Sequence, residues 1–148
     1  MPPKKVKLKS PQGHDHTTFL GFNVGQNGLI ANAPTKFQVF PGDNIIWAIG
    51  NTSGQPITVT LMDFFRKTSD GDDKGDPNDP VMPFNWLVSN ILQLEDKQQG
   101  FIVAARDPAY RVRGFFHDAL SYTIRVESRA PSNPFDSIDY DPDGDIKP

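Results

Sequence analysis

The chain has 148 residues and a formal net charge of −3, which suits a single domain and disfavours nucleic-acid binding through bulk positive charge. It contains no cysteine, which excludes disulfides, thiolate metal sites and cysteine nucleophiles. Its 14 prolines and 12 glycines favour many short elements over long helices.

Residues 1–16 predict a flexible basic arm, with four lysines between Lys4 and Lys9. His14 and His16 also lie in this arm, but two imidazoles alone do not make a structural metal site. The arm lacks the apolar core of a signal peptide, and no segment approaches the ~20 apolar residues of a membrane helix. We therefore expect a cytoplasmic protein with no membrane partner.

From Thr17 the sequence shows the short, punctuated apolar segments of β-strands. Ile57, Val59 and Leu61 alternate with threonines, which predicts a strand with one buried face. Residues 44–51 are apolar on both faces, as in a central strand covered on both sides. The predicted strands are TTFLGFNV (17–24), TKFQVF (35–40), NIIWAIGN (44–51), ITVTLM (57–62), GFIVAA (100–105), YRVRGFF (110–116) and YTIRVES (122–128).

Residues 64–92 are predicted to be an insertion that begins as a polar loop and continues into a short helix over 84–94. The sandwich domain is expected to span 17–129, and residues 130–148 to form an extended, acidic, proline-rich tail. These elements predict an all-β fold, an antiparallel two-sheet Greek-key sandwich with one short helix. The apolar positions that suggest the helix are Phe84, Leu87, Val88, Ile91 and Leu92.

The segments VFPGDNIIWAIGN, GQPITVTL and YTIRVES, with a helical excursion between the last two, resemble the cupredoxin-like sandwich family over residues 35–127. The resemblance implies a metal-ligating histidine at the start of the second segment and a Cys/His/Met loop between the last two strands. Here Ile57 falls at the first ligand position, cysteine is absent and His117 stands alone. We therefore expect a copper-free scaffold without a cofactor. An immunoglobulin-like sandwich, with Trp47 as the buried tryptophan, explains the same strands.

One acidic segment matches the opening of a calcium-binding loop. Asp139, Asp141 and Asp143 precede Gly144 in a D-x-D-x-D-G pattern, in which alternate carboxylates converge on one hard cation. The closing bidentate glutamate is missing, so a solvated acidic tail is the alternative. A second acidic loop, between residues 70 and 79, is interrupted by a lysine and is interpreted as a solvated charged loop. The predicted metal-ligating residues are Asp139, Asp141, Asp143 and Asp145.

His117, Asp118 and Ser121 are the nearest approach to a catalytic group, but a triad is assembled from distant segments rather than from neighbours. The sequence has neither a G-x-S-x-G nucleophile elbow nor a phosphate-binding glycine loop. We therefore expect a protein that is not an enzyme.

Aromatic residues beside cations suggest a surface for a partner. Phe64 and Phe65 precede Arg66 at a strand end, although the two rings also suit a plug for the end of the sandwich. The apolar face of the predicted helix would extend this surface. The predicted partner-binding residues are Phe64, Phe65, Arg66, Phe84, Trp86 and Leu87.

Arginines form a second possible surface. Arg111 and Arg113 would share a strand face, with Arg125 across from them, as a basic stripe for an anionic partner. Alternatively, they pair with Glu127 and Asp118.

The function that these features favour is a non-catalytic structural or interaction module that acts through protein–protein contacts. Its oppositely charged ends would favour a homo-oligomer or a larger assembly. The alternative is a calcium- or carbohydrate-binding module that uses the aspartate-rich segments.

Overall fold

Apolar alternation places the strands in two sheets that close over one core, which confirms the predicted β-sandwich. The computed structural model describes residues 17–32, 34, 36–67 and 75–148. The predicted basic arm, with His14 and His16, and residues 70–74 of the acidic loop lie outside them. The strands are β1 (Thr17–Val24), β2 (Phe37–Val39), β3 (Asn44–Asn51), β4 (Ile57–Lys67), β5 (Gly75–Pro80), β6 (Phe84–Trp86), β7 (Ile91–Leu94), β8 (Gln99–Arg106), β9 (Asp118–Ser128), β10 (Ile138–Tyr140) and β11 (Asp143–Ile146).

The smaller sheet has the strand order β1-β3-β8-β6. The larger sheet has the order β2-β11-β9-β4-β5, with β10 also paired to β9 and β7 to β4. Pairing is parallel between β1 and β3 and between β2 and β11, so both sheets are mixed. The other strand pairs are antiparallel. β1 and β2, one strand of each parallel pair, lie at the edges of their sheets. The chain between β1 and β3 passes through β2 in the other sheet, so it crosses the sandwich twice.

Aromatic side chains from both sheets fill the centre of the sandwich. Trp47 and Tyr122 are fully buried, and Trp47 Nε1 donates a hydrogen bond of 3.1 Å to the Tyr122 hydroxyl. The Tyr122 ring stacks on Phe64 with centroids 5.1 Å apart. Ile57 is also fully buried, so the Gln-Pro-Ile segment is scaffold, as predicted.

The predicted helix over 84–94 is wrong, because these residues form β6 and β7 with a bend between them. The two halves of the segment each meet a strand with a free edge: β6 pairs with β8, and β7 pairs with β4. The Asn90 side chain supports the bend by donating a hydrogen bond of 2.8 Å to Leu61 O. Within the predicted insertion, residues 64–67, 75–80, 84–86 and 91–92 lie in sheet strands. Within the described residues, no helix is long and apolar enough to cross a membrane.

Residues 110–116 do not form the predicted strand. The backbone N–H groups of Arg113 and Gly114 donate to the carboxylate of Asp118 instead of to a neighbouring strand. A side-chain acceptor has replaced the sheet partner that a strand would need.

Residues 130–148 are not an extended tail outside the sandwich, because β10 and β11 both pair with β9. Ile146 is fully buried, and the Phe37 ring lies directly over Gly144. The aspartate-rich composition suggested a solvated tail, but each acidic residue of β11 can remain ion-paired while Ile146 enters the core.

Candidate functional site

One face of the smaller sheet points away from the core and is apolar. Along β1, β3 and β8, alternate residues enter the core and the residues between them face outward. In register, Phe19 lies opposite Ile46 and Gly21 opposite Ala48. We call this surface the outer apolar face; its residues are Phe19, Gly21, Ile46, Ala48, Phe101 and Val103.

This face combines protruding aromatic rings with a complete lack of charge. Phe19 is 65% exposed and Phe101 is 62% exposed. The three strands that form the face contain a single charged residue, Arg106, whose side chain is buried on the other side. Large exposed apolar side chains on a continuous sheet surface mark a contact site more often than a solvated one.

The face also has a depression beside Phe101. A cavity of about 210 Å³ is lined by Asn23, Ala48, Gly50 and Gly100, together with Phe101. Ala48 and Gly50 leave the sheet backbone close to the surface, and Phe101 lies at the edge of the cavity. A knob and a hole therefore lie side by side on one uncharged surface.

A separate, polar feature of the molecule is an ion network around Asp118, which is only 3% exposed. Its carboxylate accepts hydrogen bonds from Gly114 N at 2.8 Å, Tyr110 OH at 2.9 Å and Arg66 Nη2 at 3.0 Å. Burial alone would raise the pKa of Asp118, but these donors lower it below its usual value. Burial and the neighbouring carboxylate raise the pKa of Tyr110 to about 12.

Arg66 pairs with two carboxylates, Asp118 and Asp79, and its predicted partner-binding role stays a prediction. Its Nη1 donates to Asp79 at 3.1 Å, and Asp79 also pairs with Arg113. Arg125 pairs with Asp139 and Arg113 with Asp79, whereas Arg111 donates to Pro108 O, so the arginines of the predicted stripe have separate partners.

The other predicted partner-binding residues are divided between core and surface. Phe64 and Phe84 are buried in the aromatic core, Trp86 packs against it and Phe65 is partly buried. Leu87 is exposed, and its backbone N–H donates to Val103 O beside the outer apolar face. Phe19 and Phe101 were not among the predicted partner-binding residues. The sequence feature that could have identified them is the absence of charged residues from the strand segments around them.

The predicted calcium ligands do not converge. Asp139 pairs with Arg125, Asp143 with Lys67 at 2.9 Å and Asp145 with Lys36 at 3.2 Å, and Asp141 is exposed. An extended strand keeps alternate side chains about 6.6 Å apart, whereas a calcium loop must curl to bring them to one cation. Across residues 17–32, 34, 36–67 and 75–148, no group of three or more His, Asp or Glu side chains could hold a metal ion.

The structure directs the residues His117, Asp118 and Ser121 to separate partners. Ser121 Oγ accepts a hydrogen bond of 2.8 Å from Gly75 N, and His117 Nε2 lies 3.8 Å from Asp145. Asp118 faces Arg66 and Tyr110.

Comparisons with known proteins support the fold. No family model matches the chain, and no curated protein sequence matches it. The E. coli chaperone DraB is 13% identical with a TM-score of 0.52, covering 89% of this chain and 57% of that one. A chain of the CsuC–CsuE chaperone–tip adhesion subunit pre-assembly complex from archaic chaperone-usher Csu pili of Acinetobacter baumannii is 12% identical with a TM-score of 0.51, covering 76% and 48%.

The chain thus spans about half the length of these two structures. A further match, the multicopper oxidase Fet3p, is 11% identical over 88% of this chain and 27% of that one. Its TM-score of 0.39 is too low to establish a shared fold. The matches place the chain among β-sandwich proteins and do not single out the cupredoxin-like family.

Proposed function

We propose that this protein is a non-catalytic interaction module that associates with a second copy of itself through the outer apolar face. The observation that carries the proposal is the pairing of exposed rings, Phe19 and Phe101, with a sheet surface that presents no charge. Burying such a surface costs no desolvation of charge and removes apolar area from water.

A second copy is the partner that fits because the face is complementary to itself. A twofold interface brings the same patch of both subunits together, so each protrusion must meet a depression on the same surface. Phe101 provides the protrusion, and the cavity lined by Ala48, Gly50 and Gly100 provides the depression. Since neither patch carries charge, two identical copies meet without like-charge repulsion.

The structural neighbours support a role in protein contacts only in a general way. One of them is a chaperone, and the other is a chain of a complex between a chaperone and a tip adhesion subunit. At 12–13% identity the likeness extends to the fold alone. The proposal for this chain therefore stands on its own surface.

Sedimentation velocity over a range of concentrations tests the proposal. We expect the wild type to shift from monomer to dimer as concentration rises, and Phe101→Ser and Gly21→Lys to remain monomeric. Gly21→Lys separates contact from folding, because a Cβ at this position meets only Ala48 O, at 3.9 Å. Phe116→Ser is the matched control, since Phe116 is exposed outside the face.

Salt separates this interface from one between the oppositely charged ends of the chain. Apolar contact persists or strengthens at high salt, whereas attraction between exposed charges weakens. A wild type that stays monomeric, or a Phe101→Ser variant that dimerises like the wild type, overturns the proposal. So does a dimer that dissociates at high salt.

A further inference from the structure

A second cavity, away from the outer apolar face, contains a buried cation. It measures about 330 Å³, within the range of small-molecule sites, and lies where the turn before β3 meets the segment after β8. Its lining residues are Pro41, Gly42, Arg106, Pro108, Tyr110, Arg111, Val112 and Pro148.

Arg106 is the unusual member of this lining, because it is only 5% exposed and its hydrogen-bond acceptors are neutral. Nη1 donates to Asp107 O at 2.7 Å and to Tyr110 O at 3.3 Å, and Nη2 donates to Lys147 O at 3.1 Å. Its buried Nε makes no hydrogen bond with any described residue. A buried guanidinium normally requires both a counter-charge and full hydrogen bonding.

Arg66, which lies near the same tyrosine ring, allows a comparison of how the two arginine charges are paired. Both guanidinium groups pack near the ring of Tyr110, at 5.8 Å for Arg66 and 5.3 Å for Arg106. Arg66 contacts two carboxylates, and although burial would lower its pKa, the bond to Asp118 raises it. Burial lowers the pKa of Arg106; Tyr110 and Asp107 partly oppose this effect, and Arg111 adds to it. Among the described residues, Arg66 forms ion pairs with two carboxylates, whereas Arg106 forms none.

Arg111 supplies a second cation on the solvent side of the cavity. It is exposed, and its Nη1 donates to Pro108 O at 2.7 Å. The remainder of the lining is largely apolar, with three prolines, Val112 and the ring of Tyr110. A ligand for this cavity therefore combines one negative group with an apolar body.

We propose that the cavity binds a small organic carboxylate. The carboxylate pairs with Arg111 at the mouth and supplies the counter-charge that Arg106 lacks. Its apolar portion packs against the prolines and the Tyr110 ring. Arginine suits this role because its planar donors match the two oxygens of a carboxylate.

Titration of the full chain with benzoate, followed by 1H–15N NMR, tests the proposal. We expect the amide signals of Gly42 and Tyr110 to shift saturably with benzoate. Neutral benzamide, which has the same ring, and inorganic phosphate, which has the charge alone, should each bind at least about tenfold more weakly. Equal binding of benzamide, or stronger binding of phosphate, would overturn the assignment of a carboxylate with an apolar body.

Variants connect any binding to the two arginines. Arg111→Gln should weaken benzoate binding about tenfold without loss of fold, because the side chain is exposed. Arg106→Lys, which keeps the charge and loses the planar donors, tests the buried position. Arg125→Gln is the control, since Arg125 pairs with Asp139 elsewhere. The proposal fails if benzoate causes no saturable shift, if Arg111→Gln binds like the wild type, or if Arg125→Gln loses binding equally.

Discussion

Arg66 donates two hydrogen bonds to a single oxygen of Asp118, from Nε at 3.1 Å and from Nη2 at 3.0 Å. The pair joins β4 to the start of β9, and Tyr110 closes it with a hydroxyl 2.9 Å from the same oxygen. Asp118 also holds the backbone of Arg113 and Gly114, so one buried carboxylate organises a segment that lacks a sheet partner.

Asp118→Asn should destabilise the protein by about 3 kcal/mol, because it leaves the partly buried Arg66 without its closest counter-charge. The measurement is the free energy of unfolding in urea at pH 7. Asp139→Asn is the control: the Arg125–Asp139 pair is solvent-exposed and its loss should leave the unfolding free energy nearly unchanged. Equal stability of Asp118→Asn and the wild type would show that the network is not structural.

The stability that Asp118 contributes should depend on pH in a defined direction. Its pKa is lower in the folded protein than the value of about 3.9 expected in the unfolded chain. The contribution is therefore complete above about pH 4 and is lost as the pH falls through the folded-state pKa. Urea titrations from pH 7 to pH 2.5 should show the difference between wild type and Asp118→Asn constant near neutrality and shrinking in acid. A difference that grows in acid contradicts the sign.

Tyr122→Phe should cost about 1–3 kcal/mol, because it leaves the buried Trp47 Nε1 without an acceptor. A double-mutant cycle with Trp47→Phe isolates the hydrogen bond from the packing of the two rings. In the Trp47→Phe background the cost of Tyr122→Phe should fall markedly. Additive costs would mean that the two residues contribute independently.

Gly144→Ala should destabilise the sandwich by about 1–3 kcal/mol, because the added methyl group would overlap the buried ring of Phe37. Gly21→Ala is the matched strand glycine, where a methyl group meets only a backbone oxygen at 3.9 Å, and no loss is expected. Thermal unfolding of both variants compares them directly. A neutral Gly144→Ala would indicate that β11 is not packed against β2 as described.

Much of the sandwich could be predicted because its central strands combine alternation with clear turns. The predicted strand over 44–51 has the same bounds as β3, and 100–105 lies within β8. The segment 84–94 was predicted to be a helix because its apolar residues satisfy helical spacing. It forms strands because it pairs with the free edges of β8 and β4, and the sequence does not indicate these long-range pairings.

The site was harder to predict, for a similar reason. Phe64 and Phe84 looked available because they adjoin polar segments, but the other sheet covers them. Phe19 and Phe101 lie in predicted strands, and the burial pattern of β1 and β8 shows that they face outward. Composition also misplaced β11, since Ile146 is one apolar residue among aspartates and prolines.

Thiol accessibility at the centre of the outer apolar face tests its self-association most directly. The chain has no cysteine, so Ala48→Cys introduces a single thiol there, and Phe116→Cys provides one on an exposed loop. We expect maleimide to modify Ala48→Cys progressively more slowly as protein concentration rises through the dimerisation range, while the rate at Phe116→Cys stays constant. A rate at Ala48→Cys that does not change while the protein becomes dimeric would place the interface elsewhere and contradict the proposal.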